Sequence, residues 1–385
     1  MSVNTKSKLV IVSGIAACAV VLLLFLEVEA QWKVALLAIG VVAALLAVER
    51  TGLRVGIEDA FATHRSFALG VVVAAVLGVA GALHDSHFAL LMLATVALYA
   101  TACLGLTIQF GYAGIANFAG AAFFGIGCYS AAVLSTHTPL PHLLVVFAGG
   151  ACAAAISSIL ILPILRTRGH YAALITIAFG ILFKTFIEVN DTLGGPQGLK
   201  VPGFRILGWS FNDPIRIVEG VEVSFYLNYV ALALLLAVCA FVVVKRIERS
   251  WIGLSFDAVR LDETAAAVSG IDIAHWKILA FVAGNFLIGM AGALYAMMGG
   301  FIAPNNFTFS DSLILVSIVI LGGVGNPLGA IVAALLLLVL PEKLQVIQEY
   351  RFLLYAILVI LILLFRPEGL LPRRLREYFP KQVRE

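Results

Sequence analysis

The feature that most constrains this chain is the length of its stretches without charged side chains. No Asp, Glu, Lys or Arg occurs in residues 86–165, and a second such stretch covers residues 312–341. A helix needs about 20 apolar residues to cross the hydrocarbon core of a bilayer. Backbone polar groups cannot stay unpaired in lipid, so spanning segments are helices or a closed barrel. Both stretches are continuously apolar without alternation, which predicts helices.

The composition extends this conclusion to the whole chain. Hydrophobic residues make up 62% of the sequence and charged residues 12%, and the mean hydropathy is +1.06. Soluble domains carry about 25% charged residues, so this chain has too few charges for a water-exposed surface. We predict an all-α polytopic integral membrane protein. About ten to twelve transmembrane helices are expected, some of them broken by glycine or re-entrant.

Three regions are expected along the chain. Residues 1–86 would hold N-terminal transmembrane helices, residues 87–376 the core of the membrane domain, and residues 377–385 a cytoplasmic tail. The apolar run 9–26 follows Lys6 and Lys8 and resembles a signal peptide. Its length, and the second apolar segment directly behind it, favour an uncleaved first span.

The placement of Lys and Arg predicts the orientation in the membrane. Basic residues cluster in the tail from Arg366 onward and on both flanks of the loop 246–276. This loop and the C-terminus are therefore expected on the cytoplasmic side, and Lys6 and Lys8 place the N-terminus there as well. The loop 190–223, with its glycines, prolines and mixed charges, is expected to face outward.

Two glycine clusters interrupt the apolar segments, at residues 111–120 and 322–329. Transporters use broken helices to line a substrate path, whereas small residues also allow close packing of helices. For the first cluster both interpretations stay open. Asn117 is a candidate for substrate contact there, because it lies between charge-free segments. For the second cluster, a tight turn between two half-spans is favoured.

No pattern of residues for catalysis or metal binding is found in the sequence. The five cysteines all lie in apolar stretches without a CxxC pair. No GxxxxGK[ST] motif is present to bind nucleotide. We expect no catalytic residue, no metal, no cofactor bound by this chain and no nucleic-acid partner. Lys184 and Glu188 stand four residues apart in an apolar segment and are expected to form a structural ion pair.

The loop 246–276 contains one predicted short helix, around residues 262–268. Asp262 and Glu263 precede an alanine-rich run, and acidic residues in a first turn suit the helix dipole. Gly270 is a natural helix stop. A short helix between basic flanks can dock into a groove of a partner, or it can belong to a solvated loop at the lipid surface. Composition alone leaves both open.

Several segments, in order along the chain, resemble the LivM-type permeases of branched-chain amino-acid ABC importers. They are GYAG at 111–114, AAFFGIGCYSAA at 121–132, RTRGHYAALITIAFG at 166–180, TLGGPQG at 192–198, DETAA at 262–266, SGI at 269–271, FTFS at 307–310, LGGVG at 321–325 and RPEGLLP at 366–372. Each segment is weak alone, but the ordered set is specific. One departure lies at residues 116–119, where family members often have Ser-Leu-Gly-His.

The resemblance implies a permease subunit of a bacterial inner-membrane importer for leucine, isoleucine, valine or related amino acids. Its partners would be a second, LivH-type permease, two cytoplasmic subunits that hydrolyse ATP, a periplasmic substrate-binding protein and membrane lipid. The ATPase-coupling residues would be Asp262, Glu263, Thr264, Ala265 and Gly270. The candidates for the translocation path are Tyr112, Asn117, Phe118, Gly120, Tyr171, Gly322, Gly323 and Gly325.

Three alternatives stay open at this point. Similar permeases carry urea or small amides, so the exact substrate is not determined. A secondary transporter driven by an ion gradient would need buried acidic or basic ion sites. A membrane enzyme acting on lipid would need polar groups clustered near one interface. The sequence shows neither of the last two patterns, and the importer permease is therefore favoured.

Overall fold

The computed structural model describes most of the chain. The described residues are 3–27, 65–167, 171–206, 208–213, 215–218 and 221–343, with the isolated residues 33, 40, 350, 353, 356, 357, 360, 364, 368–371 and 373. The apolar segment predicted directly behind the run 9–26 lies, apart from residues 33 and 40, outside the described residues, as does the tail 377–385.

Helices dominate the described residues. They are α1 (Val3–Glu27), α2 (Arg65–Ala82), α3 (His87–Leu106), α4 (Gly120–His137), α5 (His142–Leu165), α6 (Tyr171–Val189), α7 (Tyr226–Arg249), α8 (Trp251–Leu261), α9 (Glu263–Val268), α10 (Ile273–Gly299), α11 (Phe309–Gly322) and α12 (Pro327–Lys343). Within this part of the chain, seven helical segments of 19 to 27 residues are long and apolar enough to span a membrane. The predicted all-α polytopic fold is confirmed. The number of crossings stays a prediction.

Short antiparallel ribbons are the only strands among the described residues, and each has two strands. The first joins β1 (Leu199–Lys200) to β6 (Phe301–Ile302), with Leu199 opposite Ile302. The others pair β2 (Arg205–Ile206) with β3 (Trp209–Ser210), and β4 (Ile215–Val218) with β5 (Val221–Val223). These strands lie between the long helices and outside the seven apolar segments.

The chain divides into two compact units. The first comprises Met1–Thr95, Phe211–Leu235 and Leu338–Arg351. Within it, Ile11 and Ile15 of α1 are buried against Val71 and Ala75 of α2. Apolar contacts between α1 and α2 therefore hold the beginning of this unit together.

The second unit comprises Val96–Ser210, Leu236–Leu337 and Phe352–Glu385. Its centre is α10, which packs closely on α4 and α5 through glycines. A Cβ atom added to Gly127 of α4 would lie only 2.0 Å from the carbonyl oxygen of Gly289, and one added to Gly292 would lie 2.0 Å from that of Phe124. In a membrane, helices gain van der Waals contact where small residues let their backbones approach.

Helix α6, in the same unit, is packed very differently. Only 11% of its span is buried within the chain, against 61% for α10. Lys184 Nζ and Glu188 Oε1 lie 3.2 Å apart on α6, which confirms the predicted ion pair.

The second glycine cluster forms the predicted tight turn between two helices. Helix α11 ends at Gly322 and α12 begins at Pro327. Gly323 and Gly325, in between, have φ angles of +103° and +89°, which side chains with a Cβ rarely adopt. Gly322 also meets Gly329 across the turn, because an added Cβ would lie 2.4 Å from the Gly329 carbonyl carbon.

Candidate translocation and coupling site

The first glycine cluster is the site where a membrane helix breaks. Helix α3 continues into a π-helical segment, Thr107–Tyr112, in which the amide of Ala113 donates to the carbonyl of Ile108, 3.1 Å away. Residues 114–119 are irregular, and α4 begins at Gly120. Irregular backbone at membrane depth is tolerated only where it is buried in protein or lines a cavity.

Four backbone amides at the break donate hydrogen bonds within the protein. They run from Ile115 to the Gln109 carbonyl (2.9 Å), from Phe118 to Thr176 Oγ1 (3.0 Å), from Ala119 to Asn117 Oδ1 (2.9 Å) and from Ala121 to Ser312 Oγ (3.0 Å). Three of the acceptors are side chains. Polar side chains thus replace the hydrogen bonds that a continuous helix would have made.

Three buried amide side chains, Gln109, Asn117 and Asn285, form what we call the amide cluster. Asn117 Nδ2 donates to Gln109 Oε1 at 2.7 Å and to Asn285 Oδ1 at 3.1 Å. Gln109 Nε2 donates to the carbonyl of Phe281 at 3.1 Å. All three amides are fully buried, and Asn285 lies near the middle of the 27-residue α10.

Two features of α10 shape this cluster. Gly284 leaves space for the Gln109 amide, since an added Cβ would lie 2.5 Å from Gln109 Nε2. Asn285 Nδ2 has no hydrogen-bond partner among the described residues. A buried donor without an acceptor costs about 1–3 kcal/mol. The cluster therefore retains one donor that a carboxylate or carbonyl oxygen can satisfy.

The path candidates next to Asn117 lie around the break. Tyr112 is fully buried at the end of the π segment, where the Arg373 guanidinium stacks 4.7 Å above its ring. Phe118 is half-buried and meets the ring of Phe110 edge-on at 5.9 Å. Gly120 is buried at the start of α4. The structure therefore brings these residues together with Asn117.

The remaining path candidates lie elsewhere. Tyr171 begins α6 and is 68% exposed. Gly322 and Gly323 belong to the turn after α11. Gly325 joins the two glycine clusters, because a Cβ added to Gly111 would lie 2.4 Å from Gly325 Cα.

The loop predicted to carry the coupling residues forms a hairpin of α8 and α9 that leads into α10. Aromatic rings fix its base: Trp276 meets Trp251 at 5.3 Å and Phe256 at 5.7 Å, both edge-on. We call this element, residues 251–271, the α8–α9 hairpin. Its close aromatic packing makes it a compact element.

The short helix predicted in this loop is α9, and its two ends are capped as expected. The Asp262 carboxylate accepts hydrogen bonds from the amides of Thr264 (2.8 Å) and Ala265 (3.1 Å). Gly270 has a φ of +80°. Its amide donates to Ala267 and that of Ile271 to Ala266, both at 3.0 Å, which is a Schellman termination.

Glu263 and the tip of the hairpin lie at the surface of the described part of the chain. Glu263 Oε1 lies 2.6 Å from Lys277 Nζ on α10. The apolar side chains of Leu261 and Val268, on either side of α9, are 74% and 86% exposed. The tip therefore combines a fixed charge pair with aliphatic side chains that the described residues leave uncovered.

An ion-pair cluster lies between the hairpin and the break, and the sequence did not predict it. Arg373 Nη1 and Nη2 lie 2.8 and 3.0 Å from Asp257 Oδ1 and Oδ2. Arg260 Nη1 donates to the Gly111 carbonyl at 2.5 Å. Burial and the nearby Arg373 lower the pKa of Arg260, while Asp257 raises it. No short sequence pattern connects Arg373 to α8, because more than 100 residues separate them.

The sequence also did not predict that the break is bonded to Gln109, Asn285 and Thr176. Each is an uncharged polar residue inside an apolar stretch. Such residues need a hydrogen-bond partner inside the membrane. That signal was available, but it did not reveal which of these residues meet.

The sequence is similar to those of known transport permeases. The family model described as branched-chain amino acid transport system / permease component matches residues 88–363. The chain is 33% identical over 291 residues to the high-affinity branched-chain amino acid transport system permease protein LivM of Escherichia coli K12, over 71% of this chain and 68% of the relative.

More distant relatives include both permease types. The probable branched-chain amino acid transport permease protein LivM of Methanocaldococcus jannaschii is 23% identical, over 72% of this chain and 91% of its own length. The permease protein LivH of Salmonella typhimurium is 26% identical, over 71% of this chain and 91% of its own length. No solved structure matches. The family model covers most of the sequence, and the chain belongs to the family of permease components of branched-chain amino acid transport systems.

Proposed function

We propose that this chain is the permease subunit of a bacterial inner-membrane ABC importer that carries leucine, isoleucine or valine. The relatives named above support both the class of transporter and the class of substrate. The observation that carries the proposal is a buried amide cluster at the break of a membrane helix, in a chain of this family.

The chemistry of the break fits an amino acid. Amide side chains both donate and accept hydrogen bonds, so the cluster can bind the carboxylate and the ammonium group of a zwitterion without contributing a charged side chain. The free Asn285 donor suits the carboxylate. Phe118 and Phe110, beside the break, offer an apolar surface to an aliphatic side chain. We assign Tyr112, Asn117, Phe118 and Gly120 to this path, together with Gln109 and Asn285.

The α8–α9 hairpin is the proposed contact with the ATPase subunits. Short amphipathic helices dock into grooves through their apolar side chains, and Leu261 and Val268 are exposed for such a contact. Asp262 and Gly270 cap α9 at both ends. Glu263 also connects α9 to α10 through its ion pair with Lys277.

The remaining assignments follow from this role. The partners are a LivH-type permease, two ATP-binding subunits, a periplasmic substrate-binding protein and lipid. Both termini and the hairpin would lie on the cytoplasmic side, and the loop 190–223 outside. The chain would bind no cofactor and catalyse no reaction, because the partner subunits hydrolyse ATP.

Purification of the tagged chain from native membranes in mild detergent tests this proposal. Two ATPase subunits and a second permease should copurify. The complex, reconstituted in proteoliposomes with its binding protein, should take up radiolabelled leucine only with ATP, and unlabelled valine should compete. Competition by urea but not by valine would move the substrate to small amides. Uptake driven by an ion gradient without ATP would overturn the proposal.

A further inference from the structure

The carbonyl of Gly111, in the π segment, is a junction between two guanidinium groups. Arg260 Nη1 of α8 donates to it at 2.5 Å, and Arg373 Nη1 lies 3.3 Å away. Gly111 is also held sterically, because Gly325 packs directly against it. The end of the π segment is therefore fixed by the hairpin on one side and by the C-terminal part of the chain on the other.

Asp257 connects these two arginines. It lies three residues before Arg260, on the same face of α8, and it binds both terminal nitrogens of Arg373. The side chains of Arg373 and Asp257 are only 10% and 15% exposed. Bidentate pairs between arginine and a carboxylate are geometrically restrictive as well as strong. Asp257, Arg260 and Arg373, which we call the arginine link, thus leave α8 little freedom relative to Gly111.

Hydrogen bonds also connect the π segment to the amide cluster. Gln109 lies in the same π segment and donates to the Phe281 carbonyl of α10. Its Oε1 accepts from Asn117. One unbroken series of contacts therefore runs from the hairpin, through the π segment, to the amide cluster. π-Helical turns are frequent at functional sites.

We propose that the arginine link transmits movement of the α8–α9 hairpin to the amide cluster through the Gly111 carbonyl. Asp257, Arg260 and Arg373 are positioning residues in this role, since they touch neither substrate nor nucleotide. The inference rests on the proposed function. Coupling between distant sites needs an element whose equilibrium both sites bias, and the π segment is that element, because the hairpin and the amide cluster both bind it.

The test uses the full complex with its ATPase subunits and binding protein in proteoliposomes, with radiolabelled leucine as the probe. Arg373→Gln and Asp257→Asn each remove the bidentate pair. Basal ATP hydrolysis should stay near the wild-type rate, because it occurs in the partner subunits. Leucine taken up per ATP hydrolysed should fall about tenfold, within the usual range of coupling between sites. A loss of folding alone would not change this ratio in the assembled fraction.

The chain offers a matched control. Lys245 and Glu248 form an ion pair of the same length, 2.8 Å, with side chains 25% and 15% exposed, but within the single helix α7. Lys245→Gln should leave the uptake ratio unchanged. If Arg373→Gln fails to assemble, Arg373→Lys takes its place: it keeps the charge and loses the bidentate geometry, and its ratio should still fall severalfold.

The outcomes separate the two proposals. A wild-type complex without ATP-driven uptake would refute the proposed function. Normal wild-type transport, with an unchanged uptake ratio in Asp257→Asn and in the Arg373 variant that assembles, would overturn the arginine link. A combined Asp257→Arg and Arg373→Asp variant should recover more of the ratio than either reversal alone. If the losses of the uptake ratio caused by the two reversals simply added up in the combined variant, a direct role of the Asp257–Arg373 pair would be contradicted.

Discussion

The amide cluster and the α8–α9 hairpin both hold polar groups in place, but they do so with different kinds of interaction. The cluster uses neutral hydrogen bonds among Gln109, Asn117 and Asn285, all fully buried. The hairpin uses charges, in the pairs Glu263–Lys277 and Asp257–Arg373. A charge in the middle of a bilayer has a high free-energy cost, whereas an ion pair near the water interface has a much lower one. The neutral cluster and the charged hairpin therefore fit the proposed positions of the two regions, inside the membrane and at its cytoplasmic surface.

A charge placed in the amide cluster should give the largest effect. Asn117→Asp puts a carboxylate among buried amides at the break; for comparison, a charge at the centre of a membrane helix costs about 2.5–3.5 kcal/mol. Leucine uptake by reconstituted complex should be lost. Asn190→Asp is the control, because Asn190 lies at the partly exposed end of α6, where its side-chain oxygen accepts from the Thr192 amide. Wild-type uptake by Asn117→Asp would show that the amide cluster does not need to be neutral.

The close packing around the cluster can be tested with a single methyl group. Gly127→Ala drives a Cβ towards the Gly289 carbonyl, and overpacking of this kind costs about 1–3 kcal/mol. The thermal unfolding midpoint of the purified complex should drop. Gly180→Ala on α6, where a Cβ meets no atom within 4 Å, should leave the midpoint unchanged or raise it. Equal behaviour of the two variants would contradict the described packing.

Reversal of a charge in the hairpin should disturb coupling and spare the membrane core. Glu263→Arg removes the partner of Lys277 and places two cations side by side. Membrane insertion should be normal, and stimulation of ATP hydrolysis by the loaded binding protein should fall about fivefold. Glu188→Arg, which reverses one charge of the Lys184–Glu188 pair on α6, is the control. Normal stimulation in Glu263→Arg would remove the coupling assignment of α9.

Loss of the helix cap should have a smaller, local effect. Asp262→Ala leaves the amides of Thr264 and Ala265 without their acceptor, and the loss of a cap costs about 1 kcal/mol. Hydrogen exchange of these amides should accelerate, while exchange in α10 stays slow. Asp262→Asn keeps an acceptor and should exchange at close to the wild-type rate. Unchanged exchange in Asp262→Ala would mean that contacts other than the cap hold α9.

The smallest effect is expected for the ion pair on α6. The side chains of Lys184 and Glu188 are 32% and 35% exposed, and such pairs stabilise a helix by about 0.2–0.5 kcal/mol. Lys184→Gln should therefore shift the unfolding midpoint only slightly. A large destabilisation would show that this pair is buried by a partner subunit and has a role like that of the arginine link.

Local patterns in the sequence predicted the elements well. The charge-free stretches gave membrane helices, and Asp262 with Gly270 bounded α9 correctly. The glycine cluster at residues 322–329 contains the expected turn, between Gly322 and Pro327. Each of these features depends on neighbours within a few residues, where helix length, capping and backbone conformation act. The family resemblance rested on the same short segments and was confirmed by the comparisons.

The sequence by itself determined that this chain is a membrane protein and which of its segments are helical. Unpaired backbone polar groups are so costly in a bilayer that few secondary structures can span it. Only the tertiary structure decided which polar residues meet. Asn117 and Asn285 are 168 residues apart in the chain, and Arg373 and Asp257 are 116 apart. The physical reason lies in the solvent. Lipid tails are as apolar as leucine, so a membrane helix shows no apolar stripe that marks its packed face. Only the packing of the helices brings these distant polar residues together.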